Sequence, residues 1–242
     1  MGQGDGILIK SPEGHYALID GGPSKKVVYE LSNDVPFFDK TIEMSFISHP
    51  HADHITGLIE ALRNYNIDRV FTNKIDYGTP EVNTLKGEID SQNIKSYPFI
   101  QGDKIRLGSI EIKSLWPPKD FDCSNINECS MVLLISYNDF CAYLTGDATS
   151  DMQSRLVQGN LKQCPVLKIA HQGAKDGLNQ QFLGKVSPKV GVISVGENNF
   201  GHPSEETLKI LEEKNIRILR TDELGTIEII SNGEQWKVLK SL

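Results

Sequence analysis

The sequence predicts an α+β fold of four layers (α/β in character), with two β-sheets packed face to face and helices on their outer surfaces. Three observations carry that expectation. Short apolar strands and amphipathic helices occur in both halves of the chain in similar proportion, which suits two sheets that each need covering. Residues able to do chemistry recur just after apolar strands. The 242 residues, 38% apolar and 24% charged, form a globular composition long enough for one layered core. No linker, repeat or low-complexity tract divides the chain, so residues 1–242 read as a single domain.

Gly6 to Lys10 and His15 to Asp20 flank a Ser-Pro-Glu-Gly turn and read as a hairpin. Met44 to Ser48 is a short apolar strand. Ile55 to Asn64 places Ile55, Leu58, Ile59 and Leu62 on one helical face. A strand is expected at Arg69 to Thr72, and a helix at Pro80 to Ser91 on the spacing of Val82, Leu85 and Ile89. Lys104 to Leu107 and Ser109 to Leu115 pair across Gly108, and Ser130 to Tyr137 with Phe140 to Thr145 across Asn138-Asp139. There follow a helix at Ser150 to Val157, a strand at Val166 to Ala170, a helix at Asn179 to Val186 and a strand at Val190 to Val195. Ser204 caps a helix running to Lys214, with Glu206 in its first turn. Strands at Ile216 to Arg220, Thr226 to Ile230 and Gln235 to Leu239 complete the chain.

His49-Pro50-His51-Ala52-Asp53-His54 holds three of the six histidines in six residues. Imidazole and carboxylate are the donors a catalytic Zn²⁺ takes, at roughly 2.0–2.2 Å. Four such groups packed this tightly cannot all serve one tetrahedral ion that keeps a water, so the motif points to two neighbouring metals. A histidine-rich solvated loop is the alternative, but such a loop does not follow a buried strand and open an amphipathic helix. Asp147 also follows an apolar strand, as a carboxylate bridging two metals or as the cap of the next helix. His171 and Asp20 end strands, and His202 precedes a helix, whereas His15 sits in a turn. Five histidines at loop or strand ends is the pattern of one convergent site.

The charge balance, 25 basic against 32 acidic residues and a net −7, argues against a protein that coats nucleic acid with a broad basic surface. It does not exclude phosphate chemistry, because two divalent metals supply positive charge locally. No apolar run approaches the roughly 20 residues of a membrane helix, and the start lacks the features of a signal peptide. Cys123, Cys129, Cys141 and Cys164 show no C-x-x-C spacing and read as reduced structural thiols of a cytosolic protein.

Leu18-Ile19-Asp20-Gly21-Gly22, the H-x-H-x-D-H run, Thr145-Gly146-Asp147 and His171 together resemble the metallo-β-lactamase-fold hydrolases. More narrowly, the chain is similar to the hydrolase domain of ComEC-type DNA-uptake (competence) proteins. The narrower likeness rests on Gly2-Gln3-Gly4-Asp5, Asn127 and Ser130, Lys168-Ile169-Ala170-His171, Ser194-Val195-Gly196 through Asn199, Gly201-His202-Pro203, and Arg220-Thr221-Asp222 before Gly225. It implies an αββα sandwich with two divalent metals, Zn²⁺ or Mn²⁺, at one edge between the sheets. His49 and His51 would hold one metal; Asp53, His54 and His171 the other; Asp147 would bridge. Asp20 would orient the motif loop. Asn127, Ser130, Lys168 and Asn199 would support the ligands or touch substrate; for Lys168, a candidate phosphate contact, a solvated lysine is the safer reading. Asp53 and Asp147 would orient the attacking hydroxide. His202 would steady the phosphate or protonate the leaving oxygen, unless it only caps its helix. No histidine lies between His54 and His171, which leaves the first metal poor in ligands. Gln172 stands where the ComEC-type pattern has a second histidine, and His51 where it often has aspartate. ComEC-type proteins are membrane channels, so this chain reads as a free-standing cytoplasmic relative or as an excised extracytoplasmic domain.

The function expected is a metal-dependent phosphodiesterase or nuclease acting on DNA, single-stranded DNA being the candidate partner, through a two-metal-activated hydroxide. Hydrolysis of a small phosphodiester, as by phosphorylcholine esterases, is the second reading. A lactone, thioester or β-lactam hydrolase is a third, and a metal-binding regulatory domain a fourth. A purely structural site would close its shell with four protein groups.

Overall fold

The computed structural model describes residues 2–73, 77–122 and 125–239; the expectation for Cys123 lies outside them. In chain order come β1 (Ile7–Lys10), β2 (Tyr16–Ile19), α1 (Lys26–Leu31), β3 (Thr41–Ile42), β4 (Met44–Phe46), α2 (Ala52–Asn64), β5 (Asn66–Ile67), β6 (Arg69–Thr72), α3 (Pro80–Ser91) and β7 (Lys95–Pro98). The second half holds β8 (Lys104–Leu107), β9 (Ile110–Trp116), β10 (Val132–Tyr137), β11 (Phe140–Leu144), α4 (Ser150–Leu156), β12 (Val166–Lys168), α5 (Gln180–Val186) and β13 (Val190–Ile193). It ends with α6 (Glu205–Glu213), β14 (Arg217–Arg220), α7 (Thr221–Leu224), β15 (Glu228–Ser231) and β16 (Trp236–Leu239).

One sheet has the order β1-β2-β4-β6-β7 and the other β14-β13-β12-β11-β10-β9-β8. Strands β2, β4, β6 and β7 run parallel, as do β11, β12, β13 and β14. Side-chain alternation along β2 builds two layers at once. Tyr16 and Leu18 join Val27, Leu58, Leu62 and Leu85 beneath the helices α1–α3. Ala17 and Ile19 instead join Phe46, Phe71, Ile112, Leu133 and Leu144 between the two sheets. On the far side of the second sheet, Tyr143, Leu167 and Ile193 pack under Met152, Phe182 and Leu211 of α4–α6. These three apolar layers make the αββα sandwich.

Differences from expectation have local causes. Helix α2 begins at Ala52 and not Ile55, since His51 is extended (φ −74°, ψ 147°) and takes the N-cap position. Asp53 then lies in the first turn, where a carboxylate opposes the helix dipole. Helix α1 has too little apolar periodicity to be expected from the sequence, because only Val27 and Leu31 of it are buried. Strand β7 is exposed throughout and ends in Pro98, as an edge strand may, so it shows no alternation. The cysteine expectation is corrected: Cys141 and Cys164 form a disulfide, with Cα atoms 5.1 Å apart. Cys141 lies in β11 and Cys164 just before β12, so parallel pairing of those strands brings them together. Among the described residues no cysteine is a free thiol.

Candidate metal centre

Parallel strands end on one edge of the sandwich, and there the polar residues gather. Asp20 follows β2, Ser48 and His49 follow β4, Asp147 follows β11 and His171 follows β12. The loop after β2 is clamped onto α2: Gly21 N–H donates to the His54 carbonyl (2.7 Å) and Gly57 N–H to the Gly22 carbonyl (2.8 Å). A Cβ at Gly57 would collide with the Gly21 carbonyl, so glycine is required for this approach. Gly146 has φ +49°, and a Cβ there would strike the Ser130 hydroxyl.

The six expected ligands converge. His49 Nε2 lies 3.1 Å from His51 Nδ1 and 3.5 Å from Asp147 Oδ2. His54 Nε2 lies 3.3 Å from Asp147 Oδ1 and 3.7 Å from Asp53 Oδ2. His171 Nε2 is 3.9 Å from Asp147 Oδ2. Ligands bound at 2.0–2.2 Å around a tetrahedral ion are themselves roughly 3.4 Å apart. The imidazole and carboxylate donors therefore fit divalent metals in both chemistry and spacing. His49, His54 and Asp147 are all buried, whereas His171 keeps a quarter of its side chain exposed.

Asp20 decides which nitrogens face inward. Its carboxylate accepts from Ser48 N–H (2.8 Å), Ser48 Oγ–H (2.6 Å) and His54 Nδ1–H (2.8 Å). Because the one Ser48 hydroxyl proton goes to Asp20, Ser48 Oγ must accept from His49 Nδ1–H at 3.0 Å. Both histidines thus turn Nε2 toward the centre. Burial, then the neighbouring His54, holds His49 well below the usual histidine range. Burial also lowers His51. Burial opposes the charge on His54, yet the Asp147 and Asp20 carboxylates outweigh it and raise that histidine well above its ordinary value. Asp147 in turn is held well below the carboxylate range: burial alone would raise it, but His54 and His49 prevail.

Most of the other expected residues have specific partners of their own. Ser130 Oγ accepts from Asp147 N–H at 2.8 Å and sits 3.5 Å from His49 Nδ1. Asn127 lies inside the short turn Ile126–Cys129, which Asn125 caps, and its buried Oδ1 has no hydrogen-bond partner. Lys168 is neither solvated nor available to phosphate. It is buried, donates to the Gly146 carbonyl (2.9 Å) and forms an ion pair with Asp5. Asp5, Asp20 and His54 also cluster closely enough to suggest a cation, and the Lys168 ammonium supplies it. Asn199 is exposed; the neighbouring Asn198 makes the loop's hydrogen bonds. His202 packs its ring 5.4 Å from that of His171, and burial and His171 lower its pKa.

Sequence reading missed Gln3, Asp5 and Gln172 as site residues. Gln172 is buried with φ +48°, donates to Asp147 Oδ1 (3.2 Å) and stands 3.4 Å from His54 Nε2. Gln3 Oε1 accepts from Gly196 N–H, so its Nε2 faces Gln172 Oε1 (3.5 Å) and His202 Nδ1 (3.4 Å). His202 Nδ1 is therefore an acceptor, and its proton resides on Nε2. The only sequence signal for these residues was their place in the family motifs.

No protein-family model matches the chain. ComE operon protein 3 of Bacillus subtilis is 26% identical over 248 aligned residues, covering 94% of this chain. The chain spans only 32% of that relative's length. Exodeoxyribonuclease WalJ of Streptococcus pneumoniae is 28% identical over 97 residues, 40% of this chain and 35% of the relative. Among solved structures, the metallo-β-lactamase fold protein YhfI of Bacillus subtilis superposes with a TM-score of 0.61 at 13% identity. That superposition covers 98% of this chain and 92% of YhfI. This chain thus adopts the metallo-β-lactamase fold and is similar over nearly its whole length to ComE operon protein 3.

Proposed function

We propose that residues 1–242 form one hydrolase domain that takes two divalent metals, Zn²⁺ or Mn²⁺, and cleaves phosphodiester bonds in DNA. The observation that carries this reading is the convergence of four imidazoles and two carboxylates at 3.1–3.9 Å on one sheet edge. The resemblance to ComEC-type DNA-uptake proteins and the similarity to ComE operon protein 3 and to an exodeoxyribonuclease favour DNA as the diester. In this reading His49 and His51 would hold one metal and Asp53, His54 and His171 the other, with Asp147 a ligand shared by both. When bound, such a pair neutralises charge on the phosphoryl oxygens and makes a water acidic enough to attack phosphorus at neutral pH.

The chain's own residues do the positioning. Asp20 keeps protons on the outer nitrogens of His54 and, through Ser48, of His49, leaving their inner lone pairs free. Gln172 and Ser130 grip Asp147 from side chain and backbone. Gln3 fixes His202 as an Nε2–H donor at the rim, suited to a phosphate or leaving-group oxygen. The Cys141–Cys164 disulfide favours an oxidising, extracytoplasmic setting over a cytosolic one.

The test is cleavage of labelled single-stranded DNA, double-stranded DNA and bis-p-nitrophenyl phosphate with Mn²⁺ or Zn²⁺, alongside metal content. Wild type should cut DNA only with metal, and His171→Ala should lose metal and activity together. Full metal content and rate in that variant would overturn the ligand assignment. Turnover of the small diester alone would favour a small phosphodiester as substrate, a reading the net charge of −7 supports.

A further inference from the structure

Phe200 is 77% exposed, yet it stands beside the candidate centre. Its ring lies 5.8 Å from that of His202 at an interplanar angle of 33°. His202 in turn lies 5.4 Å from His171. The three rings thus step from solvent to a proposed metal ligand. An apolar ring this open to water gains little from burial in the fold.

The loop that presents it is nonetheless rigidly built. Asn198 sits inside the loop and uses its whole amide. Nδ2 donates to the Gly196 carbonyl (2.9 Å) and the His202 carbonyl (2.8 Å), while Oδ1 accepts from Phe200 N–H (3.1 Å) and His202 N–H (3.0 Å). The far end of this bracket is tied to the site itself, because Gly196 N–H donates to Gln3 Oε1. Asn198 braces the loop with four hydrogen bonds, one of them from Phe200 N–H, so the backbone that carries the ring is ordered before any ligand arrives.

We propose that Phe200 is a stacking platform for a nucleobase close to the phosphate being cleaved, so that the substrate is an unpaired nucleic-acid strand. The proposal rests on the phosphodiesterase reading and deepens it. A base held in a duplex has its faces covered, whereas an unpaired base offers a face to an aromatic ring regardless of sequence. Stacking also suits an acidic protein. With a net charge of −7, binding energy must come from contacts other than a broad basic surface. Phe200 would position substrate and take no part in bond breaking.

The test compares two fluorescein-labelled strands of equal length, oligo-dT and its abasic counterpart, which share phosphates and differ only in bases. Binding is followed by anisotropy in EDTA, so that the strands stay intact, and cleavage is followed separately with Mn²⁺. Phe200→Ala should weaken oligo-dT binding roughly 5- to 150-fold, the size of one base–aromatic stack, and leave the abasic strand unaffected. Phe200→Trp should retain oligo-dT affinity, and its added emission should be quenched by oligo-dT but not by the abasic strand. Equal effects on both strands, or none on oligo-dT, would overturn the platform. If wild type still cuts DNA in that case, the nuclease reading survives. A wild type that neither binds nor cuts any strand overturns both.

Discussion

Asp20 controls the centre without facing it. One buried carboxylate sets the proton position on His54 directly and on His49 through Ser48. Asp20→Asn keeps the shape but adds a donor, so the relay can no longer satisfy all partners. Metal affinity should fall about 10- to 100-fold, measured by metal titration with little change in fold by circular dichroism. Unchanged affinity would show that the tautomers are set elsewhere. Lys168 is a second residue whose role is structural. Its buried ion pair with Asp5 ties the N-terminal segment to the Gly146-Asp147 turn. Lys168→Met leaves Asp5 buried without its partner and should cost about 3–5 kcal/mol in denaturant unfolding. Asp5→Asn in the same chain should restore part of that loss; a double variant no better than the single would mean the pair is not coupled.

Helix α2 links the ligand motif to the core. Its apolar face, Ile55, Leu58 and Leu62, is buried, while its first turn carries Asp53 and His54. The Gly21–Gly57 contact sets the depth at which it seats. Gly57→Ala should destabilise the fold by about 1–3 kcal/mol and also weaken metal binding, since the helix must move outward with His54. Normal metal affinity despite lost stability would separate seating from ligation. Most elements were legible in the sequence because their apolar residues recur with period two or near 3.6, as in β9 with Ile110 and Ile112 or in α3 with Val82, Leu85 and Ile89. The stretch from His171 to Gly173 was not. It reads as a strand end, but His171, Gln172 and Gly173 all take positive φ, and this turn carries Gln172 into the site.

Across the molecule, the two sheets put their parallel strand ends on a common edge, which is how candidate ligands more than a hundred residues apart meet. The Cys141–Cys164 link reinforces the second sheet across a sequence separation of 23. Making Cys164→Ala with Cys141→Ala should cost about 3 kcal/mol and lower the thermal midpoint. An unchanged midpoint in this double variant would mean the bond adds nothing to the folded state.

The linear chain alone marked the candidate ligands, the strands that present them and the layered architecture, since each of these is written in neighbouring residues. Three-dimensional packing assigned everything that depends on distant partners. It made Lys168 a buried strut, gave the loop bracket to Asn198 and not Asn199, brought Gln3 to His202 and joined the cysteines. Periodicity reports which side of an element is buried. Proton positions and charge pairings follow from groups up to 199 positions apart, and no local pattern records them.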